Sequence, residues 1–242
     1  MKFVREDRFF INTKIEKGKL EISEKEIFHQ LKDVLRKRAG DRVILFNGTG
    51  IEAEAKIKKF LKDKVEVEIL KIEKPEREPK IFVSLFCSVL KKSNFELVVQ
   101  KATEIGVGEI VPILCKNTVK TGLNLKRLEK IAKEATEQSK RVTLPKIEKI
   151  LTFKEAIEKA KNFDLKILFD ISGKEFYSLK RKIDKVAIFI GPEGGWDKSE
   201  IELAKKENFE ILNLGKLNLR SETAAIVSSF LIIYLLSLRA NQ

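Results

Sequence analysis

Between Val186 and Gly215 the chain reads VAIFIGPEGGWDKSEIELAKKENFEILNLG. Apolar residues Val186 to Ile190 run straight into Gly191-Pro192-Glu193-Gly194-Gly195. Asp197 then opens a helix, with Glu200 in position to complete a capping box, and a second apolar run ends at Gly215. A strand, a tight loop, a helix and a strand in so short a span predict an α/β fold with a largely parallel sheet.

The pattern extends upstream. KIFVSLFCSVL, GEIVPILC and DLKILFDI read as further strands. Ser93 with Glu96 predicts a capped helix whose apolar face is Phe95, Val98, Val99, Ala102 and Ile105, stopped by Gly106. NLKRLEKIAKEATEQSKR predicts another, with Leu125, Leu128, Ile131, Ala132 and Ala135 inward, and a last helix is expected from about Ser221. Two prolines and a charge run in KIEKPEREPK mark a boundary, giving expected domains 1–72 and 73–242. Before it, polar and apolar residues alternate as in half-buried strands, with Asn47-Gly48 and Thr49-Gly50 as turns. One helix is expected there, capped by Ser23 and Glu26 and ended at Gly40.

Charge narrows the choice of partner. Forty-nine Lys and Arg face 36 Asp and Glu, which favours a polyanion, RNA or DNA. Abundant Lys and Glu with few Cys, Met, Gln and His also suit a thermophile surface, but such a surface would be balanced in sign. Cys87 and Cys115 lie in apolar runs and are expected to be buried. With a single histidine beside them, no metal site is expected. The N-terminus MKFVREDRFFIN has no apolar leader pattern, so the cytoplasm is expected. TAAIVSSFLIIYLLSL is shorter than the roughly 20 residues of a membrane span. It reads as a core helix, and no membrane partner is expected.

A glycine-rich loop between strand and helix ordinarily suits phosphate. Here the lysine of a P-loop and the spacing of a dinucleotide site are both missing, and Glu193 would repel a phosphate. The loop suits a cation such as S-adenosylmethionine (SAM), with its sulfonium and ammonium groups. It equally suits a tight turn in which the glutamate caps the next helix. A second junction, LNLGKLNLRSETAA, carries Gly215, then Arg220, then Glu222 and Thr223 at a helix start. Two such junctions can converge at the carboxyl edge of a sheet, where α/β folds bind ligands. Arg220 there is either a solvated charge or a functional one.

Read together, these segments resemble the RsmE family of 16S ribosomal RNA uridine-N3 methyltransferases, within the SPOUT superfamily. The family pattern Ile-Gly-Pro-Glu-Gly-Gly-Phe is met by Ile190 to Gly195 with Trp196 in place of Phe. Its Leu-Gly and Leu-Arg-x-Glu-Thr-Ala elements are met by Leu214-Gly215 and Leu219 to Ala224, with Asn218 in place of an apolar residue. Further blocks fit at Gln100, Lys101, Glu104 and Gly106, and at Glu134, Ala135, Glu137, Gln138, Arg141 and Pro145. Near the N-terminus Arg8-Phe9-Phe10, His29, Val34-Leu35-Arg36, Gly40-Asp41 and Gly48 also fit. Where the family commonly has Arg-Ser, this chain has Asn117-Thr118.

The resemblance implies a PUA-like RNA-binding β-barrel followed by a SPOUT domain with a C-terminal trefoil knot, in a homodimer. It implies SAM as cofactor, held by Leu168, Gly191, Pro192, Glu193, Gly194, Leu214, Gly215, Leu217, Leu219 and Ala224. The implied substrate is 16S ribosomal RNA in the 30S subunit, with Arg8, Arg36, Lys101 and Arg141 as RNA contacts. For the chemistry, Arg220 suits stabilisation of an anionic uracil, and Glu193 suits a base or a group that positions Arg220 or the cofactor. A non-catalytic RNA-binding protein is the competing class. Intact Glu193, Arg220 and both glycine junctions argue against it.

Overall fold

The computed structural model describes residues 7–119, 122–175 and 183–239. Residues 1–6, which carry part of the leader argument, lie outside the described residues. The chain forms two compact units: 1–78 with 136–144, and 79–135 with 145–242. The expected boundary after residue 72 therefore misses one exchange, because 136–144 belongs to the first unit. Glu78 explains it. Its carboxylate accepts the amides of Val142 (2.8 Å) and Thr143 (3.0 Å) and pairs with the Arg141 guanidinium (3.0 Å). Thr143 also bridges Thr49, and the Gly50 amide donates to the Val142 carbonyl.

The first unit contains β1 (Arg8–Phe10), β2 (Gly18–Ile22), α1 (Lys25–His29), β3 (Arg42–Phe46), β4 (Glu52–Phe60) and β5 (Val65–Glu73). The sheet order is β1-β3-β4-β5-β2, with β1 parallel to β3 and the other pairs antiparallel. Alternation behaves as expected for a sheet with one covered face. Ala53, Ala55 and Ile57 of β4 and Val65, Val67 and Ile69 of β5 are buried, while the acidic and basic residues between them face out. The helix differs from expectation. Ser23 does not cap it; Glu24 occupies the cap position with no side-chain bond, and its carboxylate instead accepts the Asn12 amide. The segment continues as a π-helical turn over Gln30–Val34 and stops at Arg36, whose φ is +52°, well before Gly40.

The second unit contains β6 (Phe82–Ser88), α2 (Lys92–Ile105), β7 (Glu109–Leu114), α3 (Leu125–Gln138, whose last residues belong to the first unit), β8 (Lys146–Ile147) and β9 (Leu151–Thr152). It continues with α4 (Phe153–Lys159), β10 (Leu165–Glu175), β11 (Lys185–Ile190), α5 (Lys198–Lys206), β12 (Glu210–Asn213) and α6 (Ser221–Arg239). The sheet runs β12-β10-β11-β6-β7-β8, with β9 also on β7, and every pairing is parallel. Central strands β6 and β11 are nearly continuous buried runs, as strands covered on both faces must be. At their centre Phe86 and Phe189 stack with centroids 4.3 Å apart, both fully buried. Truncating either ring would cost about 3–5 kcal/mol.

Ser93 lies inside α2, not at its cap. Lys91 precedes the helix without a side-chain bond, and Glu96 pairs with Arg127 at 2.6 Å. Gly106 ends α2 as expected, with φ +110°. Phe95, Val98, Val99 and Ala102 are buried on the expected face; Ile105 is half-buried. In α3 Leu128, Ala132 and Ala135 are buried, as expected. Helix α6 is long and apolar enough to cross a membrane (mean hydropathy 1.7 over Ser221–Leu238). It packs on α2, β6 and β11, with Ala225, Ser228, Ser229, Ile232, Ile233 and Leu236 buried, which is the position of a core helix. Cys87 and Cys115 are free and buried. Burial pushes the Cys115 thiol up to about 12, so no reactive thiolate arises there.

Candidate active site

Strand β11 delivers Gly191 to a loop that is fastened on three sides. The Trp196 indole, buried beneath it, donates to the Phe169 carbonyl of β10 at 2.9 Å. A Cβ on Gly191 would stand 2.9 Å from that indole, so the loop can wrap the ring only as glycine. From the turn after β7, the Asn117 amide donates to the carbonyls of Gly195 (3.1 Å) and Gly194 (3.4 Å). The predicted Asp197–Glu200 capping box is present in full. Lys116 then ties the same turn to it, through its amide to Glu200 (2.9 Å) and its ammonium to Asp197 (2.9 Å). That ammonium and the Ser199 bonds hold the Asp197 carboxyl well below the usual carboxylate range.

The second junction approaches from β12. Gly173 of β10 passes so close to Leu212 that a Cβ would lie 2.5 Å from its carbonyl carbon. The Asn213 side chain closes this contact between paired strands, donating to the Gly173 carbonyl at 2.6 Å, and its oxygen accepts the Gly215 amide at 3.0 Å. The chain then runs over Leu217, 80% exposed, to Arg220, whose carbonyl accepts the Ala224 amide in the first turn of α6.

Both junctions frame one cavity of about 700 Å³ at the carboxyl edge of β10, β11 and β12. Gly191, Pro192, Glu193, Gly194, Leu214, Gly215, Leu217, Leu219, Arg220 and Ala224 all line it. Leu168 does not; its side chain is fully buried in the core cluster, and the next residue, Phe169, lines the cavity in its place. Glu193 and Arg220 are both exposed, and neither carries an ion pair or a side-chain hydrogen bond among the described residues. The alternative in which Glu193 positions Arg220 therefore has no contact to work through.

Several lining residues had no place in the sequence reading: Asp170, Asn213 and, from the start of α2, Lys91 and Asn94. A lysine at the first strand-to-helix junction of the sheet was the available signal for the last two. Volume, glycine-exposed backbone and an unpaired carboxylate fit a compact cationic ligand better than a phosphate.

The expected RNA contacts divide. Arg8 is sealed, pairing with Glu52 at 2.5 Å, donating to the Arg141 carbonyl and lying over Phe46. Arg141 is 7% exposed and held by Glu78. Both guanidinium groups are spent on the first unit, so neither is free to grip a phosphate. Lys101 pairs with Glu104 at 2.9 Å on α2, and Arg36 is exposed. Among the described residues no group of three or more His, Cys, Asp or Glu could hold a metal ion.

Comparison with known proteins bears on the same regions. A model of the RNA methyltransferase domain matches residues 76–233, and one of the RNA methyltransferase PUA domain matches residues 14–70. The ribosomal RNA small subunit methyltransferase E of Rickettsia conorii is 34% identical over 230 residues, covering 92% of this chain and 93% of that protein. The crystal structure of a ribosomal RNA small subunit methyltransferase E from Neisseria gonorrhoeae, bound to S-adenosyl methionine, is similar with a TM-score of 0.89 and 27% identity, covering 95% of this chain and 98% of that one. A methyltransferase from Legionella pneumophila, solved with bound SAM, has a TM-score of 0.86 and 29% identity over 95% of this chain and 97% of its own.

Proposed function

Because the chain belongs to the ribosomal RNA small subunit methyltransferase E family, we propose that it uses SAM to methylate N3 of one uridine in 16S ribosomal RNA, in the assembled 30S subunit of the cytoplasm. The observation that carries this reading is the convergence of both glycine junctions on one cavity, with Glu193 and Arg220 unpaired at its edge.

SAM supplies a methyl carbon activated by the adjoining sulfonium. Gly191 to Gly194 and Leu214, Gly215, Leu217 and Leu219 would hold it, largely through backbone groups, with Glu193 facing its positive charge. Clamping by Trp196 and Asn117 fixes that geometry before the ligand arrives, so alignment is the main contribution of the site. As the N3–methyl bond forms and the sulfur–methyl bond breaks, N3 must lose its proton. Arg220 would stabilise negative charge on the uracil carbonyls, and Glu193 is the carboxylate within the loop able to accept the proton.

The proposal includes a trefoil knot, which the resemblance of the two glycine junctions to the family's motifs implies. It includes a homodimer, supported by Val227, Phe230, Tyr234 and Leu238, an exposed apolar stripe along α6. Phe230 and Tyr234 stack within it at 5.6 Å. The test is incubation with SAM and either free 16S RNA or 30S particles, followed by mapping of the modified base. Absence of 3-methyluridine from both, with folded protein that binds SAM, overturns the reading.

A further inference from the structure

Three stretches with no part in methyl transfer meet in the first unit: Arg8 and Phe9 of β1, Gln30 to Leu35 through the π-helical turn, and Glu137 to Lys140. They line a cavity of about 320 Å³, within the range of small-ligand sites. Val34 and Leu35 leave apolar surface open there, 62% and 41% exposed. Among the described residues the side-chain amides of Gln30 and Gln138 make no hydrogen bond, which leaves donors and acceptors on both to a ligand. The acidic lining groups are already engaged: Asp7 pairs with Lys37 at 2.7 Å, and Glu137 accepts the Phe10 amide at 2.9 Å.

Two further observations point to a ligand. The Arg8 side chain is only 6% exposed, and among the described residues its buried Nε–H has no acceptor, an unsatisfied donor in a residue that lines the cavity. Arg36 beside the cavity and Lys140 in it are both non-glycine residues at positive φ, +52° and +61°. Such strain, like a π-turn, gathers at functional sites.

We propose that this cavity takes one unstacked nucleobase of single-stranded RNA. The base lies against Val34 and Leu35, the amides of Gln30 and Gln138 read its edge, and Lys140 and Arg36 hold the flanking phosphates. Amide-lined pockets with an apolar wall and cationic lips match a base edge and its backbone, and unpaired bases are what RNA readers splay out. This inference rests on the reading of the chain as an RNA methyltransferase.

The test uses the full chain and a fluorescein-labelled single-stranded RNA containing 4-thiouridine, beside a duplex of equal length. The double variant Gln30→Ala/Gln138→Ala should bind the single strand about tenfold more weakly. Duplex binding and SAM affinity by calorimetry should be unchanged, and wild-type crosslinks should map to 30–36 or 137–140. Equal losses for single strand and duplex, unchanged single-strand affinity, or crosslinks only elsewhere overturn the pocket and leave the methyltransferase reading standing. A wild-type chain that binds SAM but neither RNA overturns both.

Discussion

Glu193 and Arg220 stand on separate loops around one cavity and pair with nothing among the described residues, so each can be changed without orphaning a partner. Glu193→Gln keeps shape and hydrogen bonding and removes only charge. Contact between two unit charges is worth from about fivefold in affinity in bulk water to several hundredfold at a protein surface. Because Glu193 is exposed, the low end applies, and SAM should bind about five- to tenfold more weakly. Arg220→Ala should leave SAM affinity nearly intact, since its proposed partner is the uracil anion of the transition state. Loss of one such donor typically lowers turnover by about 100-fold or more. Calorimetry for SAM, beside single-turnover methylation rates, separates the two roles. An Arg220→Ala protein that loses SAM affinity yet keeps its rate at saturating SAM would make Arg220 a cofactor clamp and refute the assignment.

Asn117→Ala removes both side-chain bonds to the glycine loop and should raise the KM for SAM several-fold while leaving kcat close to wild type; an unchanged KM means the loop needs no such clamp. Arg141→Ala removes a buried guanidinium from the half-buried Glu78 and should destabilise the first unit by about 2 kcal/mol, read as a drop in the denaturant midpoint; a loss under about 0.5 kcal/mol contradicts the pairing argument. Burial alone would raise the Glu78 and Glu52 carboxyls, but Arg141 on one and Arg8 and Arg77 on the other hold both below their ordinary value. Their stabilisation is complete above pH 4.5 and is lost as pH falls through the lowered folded-state values, so acid unfolding should be steeper in wild type than in Arg141→Ala. On the proposed homodimer, Phe230→Glu, on the exposed stripe of α6, should lower the mass to that of a monomer in sedimentation velocity; a wild-type monomer, or a mass indifferent to the change, overturns that part of the proposal.

Local chemistry was the most readable part of this chain. Strand β11, the glycine loop and the Asp197 cap follow from adjacent residues, and each is found where expected. Capping at Ser93 failed because Arg127 claims Glu96, and at Ser23 because the helix starts later, with Glu24 in the cap position. Helix α4 was overlooked although Thr152 and Glu155 spell a capping box that the structure completes. Placing 136–144 with the first unit was beyond pattern reading, since Glu78 and Thr49 are remote in sequence from Val142 and Thr143. The cavity's outline was legible from two motifs. The contributions of Lys91, Asn94 and Asn117 depend on how β6 and β7 lie beside β11, and no spacing along the chain encodes that.

Trp196 is the single tryptophan of the chain, buried under the glycine loop with its N–H on the Phe169 carbonyl and its ring 5.3 Å from Phe153. The molecule therefore carries its own optical probe at the glycine loop. Emission excited at the red edge of the absorption band comes from that one indole, so any shift on adding a ligand reports the loop, with no label required. The same geometry splits a denaturation experiment in two. Fluorescence will follow the second unit alone, whereas circular dichroism will sum both, and a gap between the two curves would measure how independently the units unfold.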